Sequence, residues 1–295
     1  MTERTVIALG FFDGIHLGHQ ALLRECCAMA EKLGCLPGVV TFESHPDGLV
    51  FGKTPGLINT LADRDRLLRK YGVEKVFSLP FDREMMQMPW QEFYDLVRSR
   101  CGAAGLVCGE DFTFGSRGMG NAVLLQQACA RDGIPCTVVP QLRLDDVPVS
   151  STFIRSLMES GDMERMDRFL GHPHLLTGTV THGRQLGRTL GIPTANLQYP
   201  GELQSLRRGV YACLAEFDGK LHPAVTNVGT RPTVDGQGVT VEPWILQYDG
   251  DLYGREISLW FYRFLRPEKR FDTLEELQAE IRKNGEEVAK IFGIS

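Results

Sequence analysis

Two histidines, His16 and His19, sit three residues apart in the string DGIHLGHQ (13–20). A helical pattern begins directly after them. The start of a helix carries unpaired N–H groups and a positive dipole, so it receives phosphate. Gly10, Gly14 and Gly18 let the backbone come close to a ligand there. Imidazoles at such a place can donate hydrogen bonds to a phosphate undergoing displacement, which stabilises the charge of the transition state. Two other readings stay open at this level. A metal pair would need a third ligand such as His45, and no HExxH arrangement is present. Alternatively, the histidines are structural or simply exposed.

A second string, GRQLGRTLGIPTANL (183–197), is rich in glycine and basic residues. It lacks the GxxxxGK[ST] order of a P-loop. Gly183, Gly187 and Arg188 could still cradle phosphates, and Thr194 and Asn196 share one face of a strand because i and i+2 point the same way. Two oxygen donors beside substrate phosphates suit Mg²⁺. The plainer reading is a turn leading into a strand.

These residues need a scaffold. Over the first ~150 residues, strand-like and helix-like segments alternate, which predicts a parallel sheet flanked by helices. Strands are expected at 5–10, 35–42, 73–80, 103–109 and 134–140. Helices are expected at 18–34, 61–72, 89–102 and 121–133. The unusual residues fall in loops after strands, where ligands bind in open α/β sheets. A helical connector over 150–171 follows. Beyond about 175, short alternating segments separated by Gly and Pro predict a small antiparallel barrel. A terminal helix over 273–293 opens with a capping box, Thr273 and Glu276. The fold class is therefore an α/β domain (1–172) plus a β-barrel domain with a terminal helix (173–295).

Composition sets bounds on function. The net charge of −5 argues against a nucleic-acid-coating surface, so no nucleic-acid partner is expected. No apolar run approaches the ~18 residues of a membrane span, so no membrane partner is expected either. The N-terminal apolar run reads as a strand, not a signal peptide. None of the eight cysteines forms a CxxC pair. They read as free thiols in a reducing cytoplasm, without a structural zinc site. The sequence carries no sign of oligomeric state.

HLGH resembles the HxGH signature of the nucleotidyltransferase superfamily, and SSTFIR (150–155) resembles its distant second element. With GFFDGIHLGHQ (10–20), TFESHP (41–46) and GEDFTFG (109–115), the chain resembles the bacterial bifunctional riboflavin kinase/FAD synthetase family. PTAN (193–196), TNVGTRPT (226–233) and VEPWILQYDGDLYG (241–254) are similar to the riboflavin kinase part of that family, so the resemblance runs from residue 5 to about 290.

The resemblance implies a cytoplasmic transferase of two activities. A kinase would make FMN from riboflavin and ATP, and a nucleotidyltransferase would make FAD from FMN and ATP, releasing pyrophosphate. It implies Glu242 as general base, Thr194 and Asn196 as Mg²⁺ ligands, and Gly183 and Arg188 at ATP. In the N-terminal domain it implies His16 and His19 at the displaced phosphate. Gly10, Phe11, Asp13 and Gly14 would lie at the nucleotide, Ser151, Thr152 and Arg155 at the leaving pyrophosphate, and His45 and Asp111 near the nucleotide or flavin. Departures from the family pattern are Ser44 for Pro, Trp244 for His, Gln247-Tyr248 for Asp-Phe, and Asn284 for Asp. A transferase for another phosphorylated small molecule and a non-enzymatic flavin sensor are the competing readings.

Overall fold

The computed structural model describes residues 3–182, 191–233 and 236–294. Contacts divide the chain into two compact units: Met1–Leu57 with Leu61–Phe153, and Ile58–Thr60 with Ile154–Ser295.

The first unit runs β1 (Thr5–Leu9), α1 (Leu17–Leu33), β2 (Leu36–Phe42), α2 (Pro46–Val50), α3 (Leu61–Lys70), β3 (Lys75–Leu79), α4 (Arg83–Gln87), α5 (Trp90–Cys101) and β4 (Ala103–Gly109). A two-residue hairpin pair, β5 (Thr113–Phe114) and β6 (Gly120–Asn121), precedes α6 (Ala122–Arg131) and β7 (Cys136–Val139). A second such pair, β8 (Arg143–Leu144) and β9 (Val147–Pro148), follows.

The main sheet has the order β3-β2-β1-β4-β7, and every neighbouring pair is parallel. Every residue of β1 is buried, as expected for a central strand covered on both faces. The chain leaves β1 in one direction for β2 and β3, then returns to the other side for β4 and β7. That reversal opens a crevice at the carboxyl ends of the strands. Ile7, Leu9, Phe93, Tyr94, Leu106 and Leu125 form much of the core on one face.

The 150–171 segment is not one continuous helix. It forms α7 (Ser151–Ser160) and α8 (Met163–Leu170). Gly161 adopts φ 75°, and Asp162 restarts the chain by accepting the Arg165 N–H at 3.1 Å. A left-handed glycine followed by a new N-cap ends one helix and begins the next. The short helices α2 and α4, capped by His45 and Asp82, also add to the expected set.

The second unit is a closed antiparallel barrel. Its strands are β10 (His174–Thr181), β11 (Asn196–Gln198), β12 (Gly209–Phe217), β13 (Lys220–Thr233), β14 (Gly236–Ile245) and β15 (Glu256–Arg266), in the order β10-β11-β14-β13-β12-β15. The β10–β15 pairing closes the ring, with His174 opposite Phe261. The terminal helix α9 (Leu274–Phe292) packs Val288 against Val210, Ala212 and Val225. Its capping box is formed: Thr273 Oγ accepts the Glu276 N–H at 3.2 Å, and the Glu276 carboxylate accepts the Asp272 N–H at 3.2 Å.

Candidate active sites

The turn after β1 is tightly held. Phe12 and Ile15 are fully buried yet adopt φ 58° and 43°, and Gly14 lies between them at φ 88°. Positive φ in bulky residues stores strain, which persists only where the surroundings fix the backbone. Several contacts do so here. Thr41 Oγ donates to the Phe11 carbonyl at 2.9 Å, Gln20 Nε2 to the Ile15 carbonyl at 2.8 Å, and Ser151 Oγ to the Asp13 carbonyl at 2.8 Å.

His16 is the N-cap of α1. Its Nδ1 accepts the His19 N–H at 3.3 Å. Neutral His16 therefore carries its proton on Nε2. The two imidazoles stack at 3.7 Å with 13° between planes. Gly18 makes room for this stack, since a Cβ there would lie 3.2 Å from the His16 ring. Burial holds His19 well below the usual histidine range, helped by the nearby His16 and Arg64. Its Nδ1 is buried without a hydrogen-bond partner.

Gly10, His16, Gly18, His19, Asp111 and Ser151 line a cavity of about 260 Å³ at the carboxyl ends of β1, β4 and β7. It mixes polar and apolar lining, lies at a helix N-terminus and has the stacked imidazole pair in its wall. That combination suits a phosphate ester. His45 is used differently. Its Nδ1 accepts the Asp47 N–H at 3.2 Å, and its ring meets Phe11 edge-on at 4.6 Å. It supports Phe11 and does not line the cavity. Neither Thr152, exposed on α7, nor Arg155, one turn further on, lines it. Among the described residues, no group of three His, Cys, Asp or Glu side chains could hold a metal ion.

The barrel has its own cavity of about 300 Å³, lined by Thr194, Asn227, Glu242, Trp244, Arg266 and Phe271 among others. Strand register explains the grouping. Glu242 pairs with Asn227 and Trp244 with Val225 across β13–β14. Leu197 pairs with Val241 on the other side, and the Ala195 N–H reaches the Pro243 carbonyl at 2.9 Å. Continuing that register puts Asn196 opposite Glu242 and Thr194 opposite Trp244. Asn196 does not itself line the cavity. Thr194 lines a second cavity too, of about 370 Å³, with Pro193, Asp249, Asp251 and Tyr253. The expected contacts of Gly183 and Arg188 lie outside the described residues.

Two of the departures find local explanations. Trp244 lies against α9 at Gly285, where a Cβ would come within 2.7 Å of the indole. Asn284, buried on α9, accepts the Arg266 Nε–H at 3.0 Å, while Glu280 lies 3.4 Å from the same nitrogen. A neutral amide thus suffices as acceptor, with the charge one helical turn away. Gln247 takes φ 56° in an exposed turn. Ser44 lies in an exposed bend, and nothing in the structure explains its choice over proline.

Arg64, Thr41 and Gln20 support the site but were not expected from the sequence. Arg64 belongs to LADRDRLLRKYG, which reads simply as a helix, so no local signal marks it.

Similarity to known proteins agrees with this geometry. A family model described as FAD synthetase matches residues 1–153, and one described as riboflavin kinase matches residues 170–292. Proteins named bifunctional riboflavin kinase/FMN adenylyltransferase from Pseudomonas fluorescens and Escherichia coli are 36% and 34% identical. They cover 94% and 99% of this chain, and 89% and 94% of their own lengths are matched. A solved structure described as a macrolide-efflux protein from Streptococcus pneumoniae superposes with a TM-score of 0.86 at 30% identity. The match covers 97% of this chain and 94% of that one. Among the described residues of this chain, no helix is long and apolar enough to cross a membrane. With family models matching both parts of the chain and relatives matched over nearly their full length, the chain belongs to the bifunctional riboflavin kinase/FMN adenylyltransferase family.

Proposed function

We propose that the two reactions of this riboflavin kinase and FMN adenylyltransferase are divided between residues 1–172, which join FMN to the AMP part of ATP, and residues 173–295, which phosphorylate riboflavin. The observation that carries the kinase half is the position of Thr194, in the walls of two cavities, one of which also contains Glu242. Riboflavin in the first cavity has Trp244 and Phe271 as apolar neighbours and its ribityl 5′-hydroxyl directed to Glu242. The Glu242 carboxylate accepts the hydroxyl proton as that oxygen attacks the γ-phosphorus and ADP departs. Positioning and charge neutralisation do most of the work in such transfers, so a half-buried carboxylate is an adequate base.

The donor types support Mg²⁺ as cofactor. Thr194 and Asn196 supply hydroxyl and amide oxygens, the hard donors this ion takes, and would hold it. When bound, it neutralises phosphate charge. Gly183 and Arg188 complete the ATP contacts in this reading.

In the first unit, an FMN phosphate oxygen attacks the α-phosphorus of ATP and pyrophosphate leaves. The His16 Nε2–H and the His19 ring donate to the phosphate in transit. Gly10, Phe11, Asp13 and Gly14 bring backbone close to the nucleotide. Ser151 in the cavity wall, with Thr152 and Arg155 further along α7, holds the leaving pyrophosphate, and Asp111 in the wall, with His45 behind Phe11, borders the nucleotide or flavin. All eight cysteines are free thiols, which favours a reducing cytoplasm as the working compartment. Small molecules are its partners, without nucleic acid or membrane.

Chromatography of reactions with riboflavin and Mg-ATP tests this reading. Glu242→Gln should stop FMN formation while FAD still forms from supplied FMN, and His19→Ala should do the reverse. If both activities fell together in either folded variant, the division of labour would be wrong.

A further inference from the structure

Arg64, on α3, is only 4% exposed, although it belongs to a strongly charged helix. Its guanidinium forks between two strand ends. One amino group donates to the Phe11 carbonyl at 3.0 Å and the other to the Phe42 carbonyl at 2.7 Å. The same guanidinium lies 4.8 Å from the centre of the Phe11 ring. Phe11 begins the turn that leads through left-handed Phe12 and Ile15 to His16, and Phe42 ends β2.

A buried arginine costs desolvation energy unless its donors and charge are met. Burial lowers its proton affinity, and the carboxylates of Asp13 and Asp65 offset part of that loss. Two carbonyls and one ring face meet a rigid planar fork. A lysine ammonium is a point donor and cannot reproduce that geometry. The fork therefore fixes the position from which the strained turn departs, and the turn sets where the imidazole pair stands.

We propose that Arg64 is a positioning residue for adenylyl transfer, pinning the turn after β1 so that His16 and His19 face the phosphate in transit. The inference rests on the assignment of that transfer to the cavity at the carboxyl end of β1. A second, electrostatic effect accompanies the geometric one. The groups whose charge reaches His19 are His16, on its own helix, and Arg64, from α3. Both oppose protonation of His19.

The test measures FAD formation from supplied FMN in Arg64→Met and Arg64→Lys, with riboflavin phosphorylation as the internal control. Misplacing reacting groups by about 1 Å costs on the order of a hundredfold, so Arg64→Met should lose about that much in kcat, with KM for ATP and FMN nearly unchanged. Arg64→Lys should recover part of the loss, and kinase activity should stay near wild type in both. The acid limb of the adenylylation profile should move to higher pH in Arg64→Met, because a positive charge opposing His19 protonation is gone. It should stay in place in Arg64→Lys, which keeps the charge.

Loss of adenylylation only in proportion to the unfolded fraction, with an unmoved pH profile, would overturn the proposal. So would a change in KM alone. If Arg64→Met does not fold, Arg64→Lys decides, since wild-type kcat with the fork removed would equally overturn it. His19→Ala separates the two levels. Retained adenylylation in that variant would refute the site assignment itself, whereas its loss beside an undiminished Arg64→Met would refute only the positioning role.

Discussion

The Nδ1 of His16 accepts the backbone N–H of His19 while the two rings stack 3.7 Å apart. One histidine thus caps the helix, fixes its own tautomer and supports the other. The pair is a single structural unit.

That dual role separates by substitution. Asparagine is also a good N-cap, so His16→Asn keeps the helix start but removes the Nε2 donor. Melting temperature should change little, while FAD formation should fall by about two to three orders of magnitude, the usual cost of removing a transition-state donor. His16→Ala should lose a further ~1 kcal/mol of stability along with the cap. Wild-type adenylylation in folded His16→Asn would mean that the ring only caps.

Ser151 Oγ donates to the Asp13 carbonyl and ties the start of α7 to the histidine turn. Ser151→Ala removes this donor, a net loss of about 1 kcal/mol for a typical hydrogen bond. Adenylylation should weaken by roughly fivefold, on that figure, with riboflavin phosphorylation unaffected. Parallel assays of the two activities are sufficient to check it.

Trp244 and Gly285 should behave as a coupled pair. A Cβ at position 285 would come within 2.7 Å of the indole, so Gly285→Ala should destabilise the barrel by about 1–3 kcal/mol and slow the kinase. Trp244→His shortens the ring, and in that background Gly285→Ala should be tolerated. A double-mutant cycle on denaturant midpoints should give a coupling above about 0.5 kcal/mol, and additivity would show that the helix simply moves aside.

His174 makes the barrel acid-sensitive. It is fully buried with both ring nitrogens unpartnered, and burial, with His172 nearby, pushes it down from 6.5 to about 3. The unfolded chain binds a proton below pH 6.5 that the folded chain refuses until about pH 3. Stability is therefore full above pH 6.5 and falls through this window as pH falls, by roughly 2 kcal/mol at pH 5. His174→Leu should flatten that slope by one proton. Denaturant unfolding at pH 7.5 and pH 5 would show it, and equal slopes for the two proteins would remove His174 as the cause.

Local patterns carried much of the fold and part of the site. The β1–α1 turn, the barrel strands and the Thr273–Glu276 box all announce themselves within a few neighbouring residues. The remainder is tertiary. Arg64 looks like any other charge on its helix until β1 and β2 bring two carbonyls to it. Trp244 reads as a mere departure until α9 brings Gly285 against it. The break at Gly161–Asp162 escaped because one glycine in an otherwise helical string is often tolerated. His45 read as a metal ligand or a neighbour of the nucleotide or flavin, and its role as the cap of α2, accepting the Asp47 N–H at 3.2 Å, appears only in the structure.

The closed barrel also sets an order of events during synthesis. Its last seam joins His174 on β10 to Phe261 on β15, so no ring exists until nearly the whole chain has emerged. The parallel sheet of the first unit draws all its strands from the first half of the chain. Distant pairings form late, and the earlier part of a nascent chain folds first. On the proposed division of labour, a ribosome stalled in the last few dozen codons would therefore leave behind a maker of FAD that cannot make its own FMN.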